Sequence, residues 1–509
     1  MLATVGSYGL SGIEGFAVAV EVNLSGGLPA FDVVGLPDAA VRESRERVRA
    51  ALKNSGFGFP DDRLTVNLAP ADMKKEGPAF DLPIAVGVIA AQGRLPLKAL
   101  EDTVIVGELS LDGAIRPIRG ALPIAITARE KGVARLILPE ACRREVCCVE
   151  GIELLPARHL REVVAHLCGE AALTRVEMVT YAALLGERAP SFDFAHVKGQ
   201  FSAKRALEIA AAGGHNVLMI GPPGSGKTLL ARCVPTILPD MSFEEALEVT
   251  RIHSAAGSAI ETGLLTERPF RAPHHTASTA SMVGGGASAL PGEISKAHHG
   301  VLFLDELPEY RRDVLEVLRQ PMEDGCVTVT RVGAQCTYPS QFMLVCSMNP
   351  CPCGHYGSRG QQCRCTPNQI RRYLGRISGP LLDRIDMHIE VECIPAERLS
   401  EMKEEEPSSR VRARVEQARK VQRERYRSVG ISCNARLDAR TLNRYCALSA
   451  DAREALRQAA QTMGLSNRAY TRVMKVARTI ADLDQKTEIA LDHVLEAIQY
   501  RALDRKYWG

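Results

Sequence analysis

The sequence predicts an α/β chain of three parts: an α+β amino-terminal domain, a central P-loop ATPase core and a carboxy-terminal α-helical domain. Three observations carry this. Short apolar runs alternate with helical stretches over residues 1–170. The run NVLMI leads straight into GPPGSGKT and then the helical LLARCV. Helical periodicity persists from a charged stretch starting near residue 396 to the last residues.

In the first part, AVAVEVNL, FDVVGL, RLTVNLAP, TVIVGEL and RLILP read as strands, and DAAVRESRERVRAALKNSG reads as a helix among them. Residues 171–192 turn irregular, with Pro190 and Ser191, and read as a linker with the domain boundary near 190. Residues 193–395 form the core, and residues 396–509 form the helical domain, entered through AERLSEMKEEEPSSRVRARVEQARKVQRERYRS. Three units suit a chain of 509 residues at about 150 residues per domain.

Composition narrows the class without naming an activity. A hydrophobic fraction of 46% with 24% charged residues belongs to a folded globular chain, not a disordered one. No run of about 18 apolar residues occurs, and MLATVGSYGLSGIEG lacks a basic-then-apolar signal layout, so a cytoplasmic protein with no membrane partner is expected. The net charge of +3 neither demands nor excludes nucleic acid, so any basic contact surface must be local. Fifteen cysteines without a secretory signal point to reduced thiols or a metal site.

The strongest motif is the phosphate-binding loop Gly221, Pro222, Pro223, Gly224, Ser225, Gly226, Lys227 and Thr228. Its glycines let backbone N–H groups curl around phosphates, Lys227 supplies a point charge, and the Thr228 hydroxyl suits magnesium. Downstream, VLFLDE is a buried strand ending in Asp305, suited to magnesium, and Glu306, suited to activating water. ATP and magnesium are therefore the expected cofactors. A third strand, FMLVCSMNP, ends in Asn349, whose amide suits a sensor of the γ phosphate. In GPLLDRIDMHIEV, Arg384 is placed to reach an adjacent subunit's nucleotide or to pair with Asp383 or Asp386. In SNRAYTRVMKVARTIADL, Arg468 opens an amphipathic helix as a second sensor.

Cys351 and Cys353 form CPC, and Cys363 and Cys365 form CRC after a glycine-rich span, so an insertion at 351–365 has the ligands for structural zinc. Between the phosphate loop and VLFLDE, FRAPHHTASTASMVGGGASALPGEISKAHHG reads as an inserted mobile loop. Arg268 and Arg271 flank it and are candidates for DNA phosphates. The helix from Arg410 to Arg427 reads as either a nucleic-acid face or a solvated one.

GPPGSGKT, VLFLDE, SMNP and LLDRID in this order resemble the AAA+ ATPases of the magnesium-chelatase and MCM-helicase branch. Together with KKEGPAFDLPIA, GELSLDGAIRPIRGALP and VKGQFSAKRALEIAAAGGHN, the chain resembles the ComM/YifB family over nearly its full length. That resemblance implies an AAA+ core with a helical lid, a homohexameric ring, single-stranded and branched DNA as partners, and ATP-driven branch migration that aids natural transformation. It also implies a pore hairpin before the first sensor, for which EDGCVTVTRVGAQCTYPSQF presents Arg331 and Gly333 between two strand-like runs. KKEGPAFDLPIA resembles the nucleophile segment of Lon-type proteases, and GELSLDGAIRPIRGALP resembles the segment bearing their general-base lysine. Alignment places Ala79 and Leu122 at those two positions, so no Ser-Lys dyad forms and a Lon-protease-like scaffold without proteolysis is expected. Two rival readings share the ATPase core: the motor subunit of a metal chelatase, and a ring that remodels a protein partner.

Overall fold

The computed structural model describes residues 1–185, 191–258, 263–286, 289–331, 334–357, 362–394 and 405–508. The boundaries expected near 190 and at 395–396, the hairpin tip at Gly333 and part of the four-cysteine insertion lie outside the described residues.

The amino-terminal strands are β1 (Leu2–Ser11), β2 (Glu14–Ser25), β3 (Ala30–Val34), β4 (Arg63–Ala69), β5 (Thr103–Ile105), β6 (Glu108–Leu109), β7 (Ile115–Arg116), β8 (Arg135–Pro139) and β9 (Glu153–Ala157). Among the described residues, seven of them form a mixed sheet in the order β3-β4-β2-β1-β5-β8-β9, while β6 and β7 pair separately. Against it lies the helix Asp81–Ala91, every residue of which is buried. Its run DLPIAVGVIAA explains why: each large apolar side chain withdrawn from water stabilises the fold by about 1.5–3 kcal/mol. The buried Asp81 carboxylate takes two hydrogen bonds from Arg47, at 2.6 and 3.0 Å. Burial nonetheless pushes its pKa up to about 6.

The core and its insertions supply β10 (Val217–Ile220), β11 (Phe270–Arg271), β12 (Gly284–Gly285), β13 (Leu290–Pro291), β14 (Val301–Leu304), β15 (Cys326–Arg331), β16 (Ala334–Pro339), β17 (Met343–Met348) and β18 (Met387–Glu390). Five of these form a parallel sheet in the order β11-β14-β17-β10-β18. All residues of β10, β14 and β17 are buried, which accounts for their unbroken apolar character. Parallel strands deliver their carboxyl ends, and so the loops after them, to one edge of the sheet. At the opposite edge Asn216 makes three bonds to two segments: its N–H donates to Asp386 Oδ2 at 2.8 Å, its amide to the Arg384 carbonyl at 3.2 Å, and its Oδ1 accepts from Leu344 N at 2.8 Å.

The stretch expected to be an inserted loop contains short regular elements. It holds β11, the helix Thr279–Val283, the antiparallel pair β12–β13 and the helix Glu293–Lys296. Three of its glycines serve close packing: a Cβ on Gly284, Gly292 or Gly300 would stand 2.3, 2.3 or 2.0 Å from a backbone carbonyl oxygen.

The carboxy-terminal segment is helical, led by Ser408–Tyr426 and Asn467–Leu483. Four arginines of the first helix brace it internally. Arg412 meets Asp240, Arg414 meets Glu208 and Glu406, Arg419 donates to the Ala211 carbonyl, and Arg425 meets Asp482. Arg412, Arg414 and Arg419 therefore clasp this segment to the core, while Arg410, Arg423 and Arg427 stand exposed. No helix among the described residues is long and apolar enough to cross a membrane.

Candidate nucleotide site

β10 ends at Ile220, the loop 221–226 turns over the sheet edge, and the helix Lys227–Ile237 begins. Gly226 caps that helix at φ +89°, a conformation that favours glycine. The Gly221 N–H donates to the Met348 carbonyl at 3.2 Å, tying the loop to β17. The Lys227 ammonium donates to the Gly221 and Pro222 carbonyls at 2.7 and 2.8 Å and to Asn349 Oδ1 at 3.3 Å. Burial lowers its pKa, and Asp305 opposes that shift most strongly. The structure thus joins Lys227 and Asn349, 122 positions apart, by one hydrogen bond.

Asp305 follows β14 and sits between two hydroxyls. Thr228 Oγ1 donates to its Oδ2 at 2.9 Å, and the Ser347 hydroxyl donates to its Oδ1. Thr228 and Asp305 are the oxygen donors in contact that a magnesium ion requires. Glu306 adopts φ +54°, a strained conformation for a residue with a side chain, and its carboxylate is 56% exposed. That turn aims it outward, with His275 Nδ1 at 3.8 Å from its Oε2.

Sequence reasoning missed three participants. Gln200, at φ +58°, donates through Nε2 to the Ser225 carbonyl at 3.1 Å and the Glu392 carbonyl at 2.6 Å, bracing the phosphate loop. Ser347 was visible only as the serine of SMNP, and His275 only as one of several histidines in a supposed loop.

Arg384 and Arg468 stand away from the chain's own phosphate loop. β18 pairs in register with β10, Val217 opposite Met387, so Arg384 lies beyond the amino-terminal edge of the sheet. Four strand residues, about 13 Å, separate that edge from the phosphate loop. Arg384 is 5% exposed and pairs with Glu323 at 2.6 Å, not with Asp383 or Asp386. Arg468 stands beside it, 3.7 Å from the same carboxylate oxygen.

Arg268 is nearly buried. Its guanidinium donates to the carbonyls of Pro239, His299 and Asp240 and pairs with Glu245 at 2.8 Å. Arg271 pairs with Glu293 at 2.6 Å. Arg268 is thus held within the fold, whereas the Arg271 side chain keeps 36% of its surface exposed beside Glu293. Arg331 ends β15, opposite Ala334 in β16; its side chain lies outside the description.

Cys351, Cys353, Cys363 and Cys365 converge within 4.8 Å. Sulfur separations are 3.4, 3.7 and 3.6 Å among the first three. Tetrahedral zinc with bonds of about 2.3 Å separates its sulfurs by about 3.8 Å, so the set fits that ion. Backbone N–H groups of Arg364 and His355 hold the Cys353 thiol down at about 6. A Cβ on Gly354 would stand 2.4 Å from Pro223 Cδ, so this cluster abuts the phosphate loop. In the amino-terminal domain, Leu122 is buried and its N–H donates to Glu145 at 2.9 Å, while the Ala79 carbonyl accepts from Gly107 at 2.9 Å. Neither position offers a nucleophile or a base.

A phosphate loop after one strand, paired carboxylates after a second and an amide after the strand between them define a P-loop ATPase of the AAA+ class. Family comparison agrees: "Magnesium chelatase, subunit ChlI" matches residues 193–399, its carboxy-terminal family matches 405–501, and "Subunit ChlI of Mg-chelatase" matches 20–142. The YifB protein of Escherichia coli is 46% identical over 97% of this chain and 96% of its own length. Competence protein ComM of Haemophilus influenzae is 44% identical over 99% and 98%. Lon protease 2 of Bacillus subtilis is 28% identical over 28% of this chain and 27% of its own. The chain belongs to the YifB/ComM family of magnesium-chelatase-type AAA+ ATPases.

Proposed function

We infer that the chain is an ATP-driven hexameric DNA motor that moves branch points, serving the integration of DNA in natural transformation and recombination. One observation carries the reading. The hairpin β15–β16 is inserted between β14, which ends at Asp305 and Glu306, and β17, which leads to Asn349. A change at the γ phosphate that shifts the carboxylates against the amide therefore bears on the hairpin's root. The near-full-length likeness to a competence protein supports DNA as the partner.

In this reading ATP lies at a subunit boundary. Lys227 and the loop's N–H groups hold the phosphates, Asn349 orients the attacking water, and Glu306 takes its proton. Thr228 and Asp305 would hold magnesium, which neutralises phosphate charge. Arg384 and Arg468, distant from their own phosphate loop, serve the neighbour's nucleotide. Hairpin β15–β16 brings Arg331 to the strand in the pore. The amino-terminal domain is a Lon-like scaffold without proteolysis. The four-cysteine cluster holds structural zinc, because four thiolates leave no coordination position for chemistry.

Two measurements test this. Wild type with ATP is expected to convert a synthetic four-way or three-strand DNA junction, and Lys227→Ala is not. Active hydrolysis without conversion would turn the assignment toward a protein-remodelling ring or a chelatase motor. Metal analysis of chain purified without chelators is expected to find about one zinc per chain, lost together with thermal stability in Cys351→Ser. A metal-free wild type of normal stability would make the four cysteines plain thiols.

A further inference from the structure

Arg384 is confined in a way its own hydrogen bonds do not complete. Nη1 donates to the Pro380 carbonyl at 2.8 Å and Nη2 pairs with Glu323, yet Nε is buried with no partner among the described residues. An unmatched buried donor is costly and marks a side chain held short of its best arrangement. The lid helix Asn467–Leu483 encloses the same place: Ser466 Oγ lies 3.4 Å from Asp383, Arg472 pairs with Asp386, and Arg468 points at Glu323. A single carboxylate therefore faces two arginines.

Glu323 also has a position of its own. It belongs to the helix Arg319–Asp324, and only Asp324 and Gly325 separate it from β15. Its carboxylate is 47% exposed and is held below the usual carboxylate range, by Arg384 first and then by Arg468 and Arg472. It is an anion shared by two guanidinium groups.

We propose that Glu323 is a positioning residue that holds Arg384 and Arg468 until a neighbour's ATP takes them, and that this exchange frees the root of hairpin β15–β16. The γ phosphate offers more acceptors and more charge than one carboxylate, so it wins the competition only while it is present. Glu323 thereby joins the nucleotide of one subunit to the hairpin of the next. This rests on the reading that the two arginines act across a subunit boundary.

The test is steady-state ATP hydrolysis by the full chain, with and without single-stranded DNA, for wild type, Glu323→Gln, Glu323→Asp and Arg384→Ala. Glu323→Gln keeps the shape and removes the charge. Its KM for ATP is expected to fall about tenfold, the scale of one charge-assisted hydrogen bond, and its stimulation by DNA to disappear. Glu323→Asp is expected to restore both towards wild type. If Glu323→Gln lowers only the melting temperature or kcat, with KM and the DNA response unchanged, the carboxylate is merely structural and the proposal fails. Arg384→Ala separates the two levels: wild-type hydrolysis there would sink the cross-subunit reading itself, whereas its loss beside a wild-type-like Glu323→Gln would sink the coupling alone.

Discussion

Lys227→Ala is expected to abolish detectable ATP binding and to lower hydrolysis by at least about a hundredfold, the usual scale for removing one preorganised charge-stabilising donor. The ammonium sits among the Gly221 and Pro222 carbonyls and Asn349, buried enough to lower its pKa, so its charge acts at short range with little water to screen it. Binding of a fluorescent ATP analogue checks this, with a melting curve beside it to show that the variant remains folded. Wild-type affinity in a folded variant would remove Lys227 from the phosphates.

Glu306→Gln separates binding from chemistry. The amide keeps the shape but cannot take a proton from water, so kcat is expected to fall about 10²- to 10⁴-fold while ATP affinity is retained. The strained left-handed backbone at Glu306 supports a placed group, because a cost of about 1–3 kcal/mol persists only where surrounding structure holds it. Single-turnover hydrolysis with a parallel binding measurement reads both quantities. Unchanged kcat would move the base to another residue, with His275, 3.8 Å from the Glu306 carboxylate, the next to test.

What was legible in the sequence is what lies in short contiguous patterns. GPPGSGKT, VLFLDE and FMLVCSMNP each consist of an apolar run followed at once by polar residues, and a parallel sheet delivers the ends of such runs to one edge. Lys227, Thr228, Asp305 and Asn349 consequently meet although 122 residues separate the first from the last. The CPC and CRC pairs were legible for the same reason. β1 was not anticipated, since LATVGSYGLS carries two glycines and two serines that dilute the strand signal, yet it lies in the middle of the seven-stranded sheet.

Arginine roles were the least legible, because a guanidinium is long and its partner is set by whatever folds nearest. Arg268 pairs 23 positions away, Arg384 with Glu323, and Arg414 with Glu208, and none of these partners is marked by spacing. In the glycine-rich stretch, composition alone does not distinguish a glycine kept for motion from one kept because a backbone carbonyl stands where its Cβ would be, as at Gly284. The ATPase core, its phosphate loop and the family were readable in short segments, because hydrogen-bonding backbone and strand-end chemistry are local. Which charges pair inside the fold, as Arg384 and Arg468 do around Glu323, emerged only in three dimensions, because pairing between distant residues depends on packing that no single segment encodes.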